Sequence, residues 1–214
     1  MRITILAVTK TYNQYCIAGM TEEGRWVRPQ PHTGLFWNNL EYSDGSYIKV
    51  GDVWEIKDEE FSSETDPTSP GHTENIRLLG SATRVKILDN SSLLEFIRNH
   101  SEETLSLTNT LNANGRSLCL IKIESFNKVN NSRITFNLDG NRYCNNTKTE
   151  GYPVTCLKWR SIFFQNIQYP SSVDELYICI GLARTEPPKI LKEYPMVIGI
   201  FTNPEVPLPS TYPR

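Results

Sequence analysis

Apolar positions along this chain fall mostly in short runs with strand-like alternation, separated by polar or glycine-containing turns. "RITILAV" (2–8), "YCIAGM" (15–20) and "RWVRP" (25–29) read as three strands. "VWEIKD" (53–58) is entered through Gly51-Asp52, which supplies turn chemistry. "ATRVKIL" (82–88) alternates, with Val85 and Ile87 on one face and Arg84 and Lys86 on the other. "SLCLIKIES" (117–125) mixes an apolar run with alternation. "RITFNLDGNRYCN" (133–145) reads as a hairpin, turning at Asp139-Gly140. "ELYICIGLA" (175–183) has the continuous apolar character of a fully buried strand, and "MVIGIFT" (196–202) reads as the last one.

Helical spacing shows in "NSSLLEFIRNHSEETL" (90–105), where Leu93, Leu94 and Ile97 share a face and Ser91 or Ser92 is the expected N-cap. "GLFWNNLEY" (34–42) reads as a short turn of helix. Residues 62–75 and 108–115 read as loops, and the Pro-rich 203–214 as a peripheral tail. The order is about five strands, a helix, then about five strands. It predicts a mainly β protein of two small OB-like β-barrels packed together with one connecting helix. The first half is expected over 1–107, including the helix at about 91–105, and the second over 108–214.

Composition narrows the setting. With 214 residues, 38% hydrophobic and 21% charged, the chain reads as a soluble globular protein, and no apolar run approaches the roughly 20 residues of a membrane span. The short apolar N-terminus reads as a strand rather than a signal peptide, so a cytoplasmic location is expected. Cys16, Cys119, Cys144, Cys156 and Cys179 are odd in number and scattered, unlike a disulfide framework or zinc site. The net charge of -2 conceals asymmetry: residues 1–113 carry 10 cations against 16 acids, whereas residues 114–160 carry 8 against 3. A basic segment of this kind points weakly to an anionic partner.

In an extended "GRWVRP", Trp26 and Arg28 project to one face and Arg25 and Val27 to the other, with Pro29 ending ladder pairing or marking an edge. An aromatic ring beside a guanidinium suits single-stranded nucleic acid, the base stacking and the cation meeting phosphate. The alternative is architectural: Trp26 in a core and Arg28 paired with a carboxylate. The preceding loop offers Lys10, Tyr12 and Tyr15. The aromatic-cation pattern returns at Lys158, Trp159 and Arg160, with Arg133, Arg142 and Lys148 nearby in sequence; a solvated basic face is the alternative there. His32, His72 and His100 lack metal-ligand spacing and read as structural or surface residues. The acids Asp58, Glu59, Glu60, Glu64 and Asp66 fit a solvated loop better than a magnesium site. No phosphate-binding loop, dinucleotide fingerprint or nucleophile elbow is present, and no cofactor or metal is expected.

The order "ITILAVTKTYNQYCIAGMTEEGRWVRP", then "RSLCLIKIESF" (116–126), "DELYICIGLARTEPPK" (174–189) and "YPMVIGIFT" (194–202), resembles the prokaryotic dual OB domain family through nearly the whole chain. The resemblance implies a nucleic-acid-binding architecture associated with prokaryotic defence or conflict systems, and no general enzymatic activity. The function expected is non-catalytic binding of single-stranded RNA or DNA, with Trp26 and Trp159 stacking and Arg25, Arg28, Lys158 and Arg160 on phosphates. The alternatives are a protein-interaction subunit of a larger nucleoprotein complex and a metal-dependent nuclease.

Overall fold

The computed structural model describes residues 1–11, 13–61, 72–103, 115–144, 150–170, 173–182 and 195–213. Its N-terminal half is built on β1 (Arg2–Thr11), β2 (Gln14–Met20), β3 (Trp26–Gln30), β4 (Asp52–Ile56), β5 (Glu59–Phe61), β6 (Asn75–Leu78) and β7 (Ala82–Ile87). These form one sheet in the order β5-β6-β3-β2-β1-β4-β7, antiparallel except where β3 meets β6. Helix α1 (Asn90–His100) follows. The C-terminal half contains β8 (Leu118–Lys122), β9 (Ser125–Asn130), β10 (Arg133–Leu138), β11 (Asn141–Tyr143), β12 (Tyr152–Pro153), α2 (Leu157–Phe164), β13 (Glu175–Leu182) and β14 (Pro195–Asn203). There β14-β13-β8 form one sheet, while β10 pairs with β9, β11 and β12 in another. The chain is mainly β, and its sheets curl as OB-like barrels do. The boundary expected at 107–108 lies outside the described residues.

Alternation along the central strands divides the apolar residues among three cores. On β1, Ile3, Ile5 and Val8 enter a core of the N-terminal half, while Leu6 and Ala7 enter a shared one. A register shift between Ile5 and Ala7 in the β1–β2 ladder accompanies this change of side. On β13, Leu176, Ile178, Ile180 and Leu182 enter the C-terminal core, whereas Tyr177 and Cys179 face the shared one. Strands buried on both faces carry near-continuous apolar runs, as "ELYICIGLA" does. Helix α1 seats Leu93, Leu94 and Ile97 in the shared core. Its N-cap is Asp89, which accepts from the Ser92 amide at 2.8 Å, so neither serine caps it.

Several expectations are corrected. Residues 157–164 form a second helix, with Leu157, Trp159, Ile162 and Phe163 buried. The short strands β5, β6 and β12, and β9 beyond Ser125, carry little periodicity of their own. Residues 34–42 form no helix; Trp37 pairs with Tyr15, and Glu41 with Tyr47. The C-terminal tail is not peripheral: Val206 enters the C-terminal core, and the Tyr212 hydroxyl donates to Ile48 O at 2.6 Å. On edge strand β7, Val85 and Ile87 face outward at 46% and 48% exposure, while Arg84 lies over the Tyr42 ring at 4.3 Å and pairs with Asp44.

The halves meet closely where β14 crosses β1. A Cβ on Gly199 would lie 2.9 Å from the Leu6 carbonyl oxygen, a backbone contact that cannot yield cheaply. Gly199→Ala is therefore expected to cost about 1–3 kcal/mol of stability, read by urea denaturation.

Candidate nucleic-acid interface

The expected site residues separate into buried and solvent-facing groups. Trp26, on β3, is 5% exposed and packs into the shared core beside α1. Trp159 is 1% exposed; its indole N–H donates to Ile200 O at 2.8 Å, and Phe126, Phe163 and Tyr169 pack around its ring. Neither ring offers a face on which a base could stack. Both are placed by the need to bury large aromatic area where two elements meet.

Arg28 is 8% exposed and is committed to an internal cluster. Pro29 follows it beyond the end of the β2 ladder, which stops at Val27, so the missing N–H breaks no pairing on that side. The Arg28 guanidinium pairs with Glu74 at 3.0 Å and donates to Asn75 Oδ1 at 3.1 Å and Ser117 Oγ at 2.8 Å. His72 Nδ1 lies 2.6 Å from Arg28 Nη1 and 2.9 Å from Ser117 Oγ. Ser117 donates its hydroxyl to Glu74 Oε1 and its amide to Glu74 Oε2. Serine, histidine and carboxylate thus meet, but the serine is 1% exposed and its proton is already given to Glu74. The cluster ties β3 and the β6 lead-in to the entry of β8; it presents no accessible nucleophile. Burial raises the Glu74 pKa, but the Arg28 charge, the Ser117 hydroxyl, a backbone hydrogen bond and nearby His72 outweigh it and hold the carboxyl below its ordinary value.

The remaining cations face solvent in several places. Arg25 is exposed, with Nη2 3.5 Å from Met1 Sδ. Arg133 donates to Gly151 O at 2.6 Å, and exposed Arg142 pairs with Glu150. Lys158 pairs with Glu205 at 3.1 Å and lines, with Lys49, a cleft of about 240 Å³ between the halves. Tyr12 lies outside the described residues, as do Glu64, Asp66 and Lys148.

Two segments expected to be separate surfaces are brought together. An antiparallel bridge joins Thr9 on β1 to Cys156, the residue before α2. Leu157, the first residue of α2, enters the core of the N-terminal half. Three residues on, Arg160 lies on the same side of the helix, without a side-chain ion pair or hydrogen bond among the described residues. Across the bridge, Lys10 sits over the Tyr15 ring at 5.9 Å, and half-buried Tyr15 pairs by backbone with half-buried Trp37. The bridged segments thus carry Lys10 and Arg160, while the half-buried rings of Tyr15 and Trp37 pack against the core of the N-terminal half, Trp37 donating its indole N–H to Pro29 O at 2.9 Å. Trp37 was not among the residues expected at the site, because its segment read as a local turn of helix.

Among the described residues, the remaining acids and histidines singled out from the sequence form no further site. Glu59 and Glu60 belong to β5, and His100 ends α1 with its ring nitrogens 2.8 Å from Phe96 O and 2.9 Å from Glu22 O. Among the described residues, no group of three or more His, Cys, Asp or Glu side chains is placed to hold a metal ion. No helix among them is long and apolar enough to cross a membrane.

Comparison with known proteins gives a family. A model of the dual OB-containing domain matches residues 1–197. No curated protein matches the sequence. Among solved structures, the chain is similar to one described as "Structural mimicry for functional antagonism", at 13% identity and TM-score 0.32, over 94% of this chain and 90% of that one. It is also similar to the p204 HINb domain, at 13% identity and TM-score 0.32, over 92% and 96%. A third is the Ifi202 HINa domain in complex with 20bp dsDNA, at 13% identity and TM-score 0.30, over 94% and 93%.

The buried cluster generates its own tests. Arg28→Ala leaves Glu74 buried without its cation and is expected to cost about 3–5 kcal/mol, read by chemical denaturation. The lowered pKa of Glu74 means its ionised form is favoured by folding. Its contribution is present above the ordinary value of 4.5 and is lost as pH falls through the lowered one. Glu74→Gln is expected to flatten the acid limb of the stability-versus-pH curve, measured by thermal denaturation across pH.

Proposed function

Because the chain belongs to the dual OB-containing domain family, we propose that it binds single-stranded nucleic acid, without catalysis, across the seam between β1–β2 and α2. The observation that supports this reading is the bridge between Thr9 and Cys156. It joins the two segments that carry Lys10 and Arg160, and Lys10 lies over the ring of Tyr15, whose backbone pairs with Trp37. Cations for phosphate next to rings for bases are the chemistry of sequence-tolerant single-strand binding. Lys158, Arg25, Arg133 and Arg142 extend the positive surface in this proposal, each already in contact with another group, so their share is smaller. Trp26, Trp159 and Arg28 position the strands and helix that carry the surface.

The test is a fluorescence-anisotropy titration of labelled oligothymidylate at several salt concentrations. Lys10→Ala with Arg160→Ala is expected to weaken binding about tenfold and to reduce the slope of log K against log salt by about 1.4, two phosphate contacts having been lost. Trp159→Phe, with its fold intact, is expected to leave the slope unchanged. Absence of binding by the unaltered protein at low salt contradicts the proposal.

A further inference from the structure

A second surface, in the C-terminal half, has the opposite character. A trough of about 660 Å³ opens between β9 and the segment 166–170, within the size range of ligand sites. Residues 124–128 line it consecutively. One face of a strand would contribute alternate residues, so it is the edge of β9 that borders the trough. β9 pairs with β10 on one side only, and its other edge makes no backbone hydrogen bond among the described residues. Phe126 and Tyr169, whose rings stack at 5.7 Å, join Val173, Leu176 and Val206 in the apolar part of the lining.

Natural edge strands are often protected by a lysine. Lys128 lines the trough, but its ammonium is engaged by Phe163 O at 3.0 Å and by Asn166 Oδ1 of the facing segment at 3.2 Å rather than left to guard the free edge. The trough continues into a second cavity of about 310 Å³, with Glu124, Val173 and Leu176 common to both. Exposed Glu124, Asp139 and Asp174 line that end together with Lys122; Glu124 accepts from the Gly140 amide at 2.9 Å, and Glu175 is paired with Arg98. The trough proper sets Glu124 against Lys128, so the excess of carboxylates lies at that end, where it repels a phosphate backbone and attracts cationic side chains.

We propose that this trough docks an extended basic segment of a partner protein, which adds as a strand to the outer edge of β9. Main-chain hydrogen bonds to β9 hold the segment, apolar side chains on one of its faces enter the lining around Phe126 and Leu176, and lysines or arginines meet Glu124, Asp139 and Asp174. This proposal stands apart from the nucleic-acid reading and uses a different surface.

The probe is a labelled hexapeptide of alternating valine and lysine, titrated into the full chain by anisotropy. Saturable binding is expected, and the alternating valine-glutamate peptide is expected to bind at least about tenfold more weakly. Alternate amides of a strand point to one edge, so two peptides N-methylated at alternate positions should separate. One is expected to lose about tenfold or more in affinity and the other to bind nearly as before. Glu124→Gln, Asp139→Asn and Asp174→Asn together keep these side chains' shapes, and are expected to weaken binding about tenfold and reduce its salt dependence. The proposal is overturned if no saturable binding appears up to about 1 mM, equivalent to about -4 kcal/mol. Equal binding of both N-methylated peptides, an unaffected triple variant or displacement of the peptide by oligothymidylate would overturn it as well.

Discussion

The structure depends on strands that are buried on both faces. β1 and β13 each feed two cores, so neither half closes its hydrophobic interior without the other. The shared core also fixes α1, whose three buried residues have no other apolar neighbourhood. Polar contacts reinforce the same junction. The Arg28 cluster reaches from β3 and the β6 lead-in to Ser117, and the tail returns to hydrogen-bond through Tyr212. A buried ion pair adds little net stability by itself, but each partner becomes costly to remove once the other is desolvated.

This constraint decides which residues remain for function. Large aromatic side chains at the junctions are drawn inward, which accounts for Trp26 and Trp159 together. Among what stays outside are the hairpin end of β1–β2, the half-buried Arg160 on α2, and the open edge of β9. The first two carry cations and half-buried rings; carboxylates gather beyond the start of the third, at Glu124, Asp139 and Asp174. The chain's nearly neutral total therefore divides into surfaces of different sign, suited to different partners.

Much of the fold was legible in the sequence. Long strands such as β1, β13 and β14 announce themselves by apolar runs, and the Asp139-Gly140 hairpin by its turn chemistry. Helix α2 was not legible because its residues are apolar around much of its circumference and its N-cap, Cys156, makes no side-chain capping bond. The site was less legible than the fold. Lys10 and Arg160 stand out as cations, but nothing local says that Thr9 pairs with Cys156, so far along the chain. Arg28 shows the same limit: a carboxylate partner was an open alternative, while its identity as Glu74, together with Ser117, is a product of tertiary packing.

In the proposed mode of binding, the seam between β1–β2 and α2, rather than the conspicuous tryptophans, meets single-stranded nucleic acid. The most direct measurement is an amide chemical-shift titration of the isotopically labelled protein with oligothymidylate. Perturbations are expected to cluster at Lys10, Tyr15, Trp37 and the first turn of α2 through Arg160, leaving the indole N–H signals of Trp26 and Trp159 in place. Perturbations centred on those two indoles, or on the β9 trough, would contradict that mode.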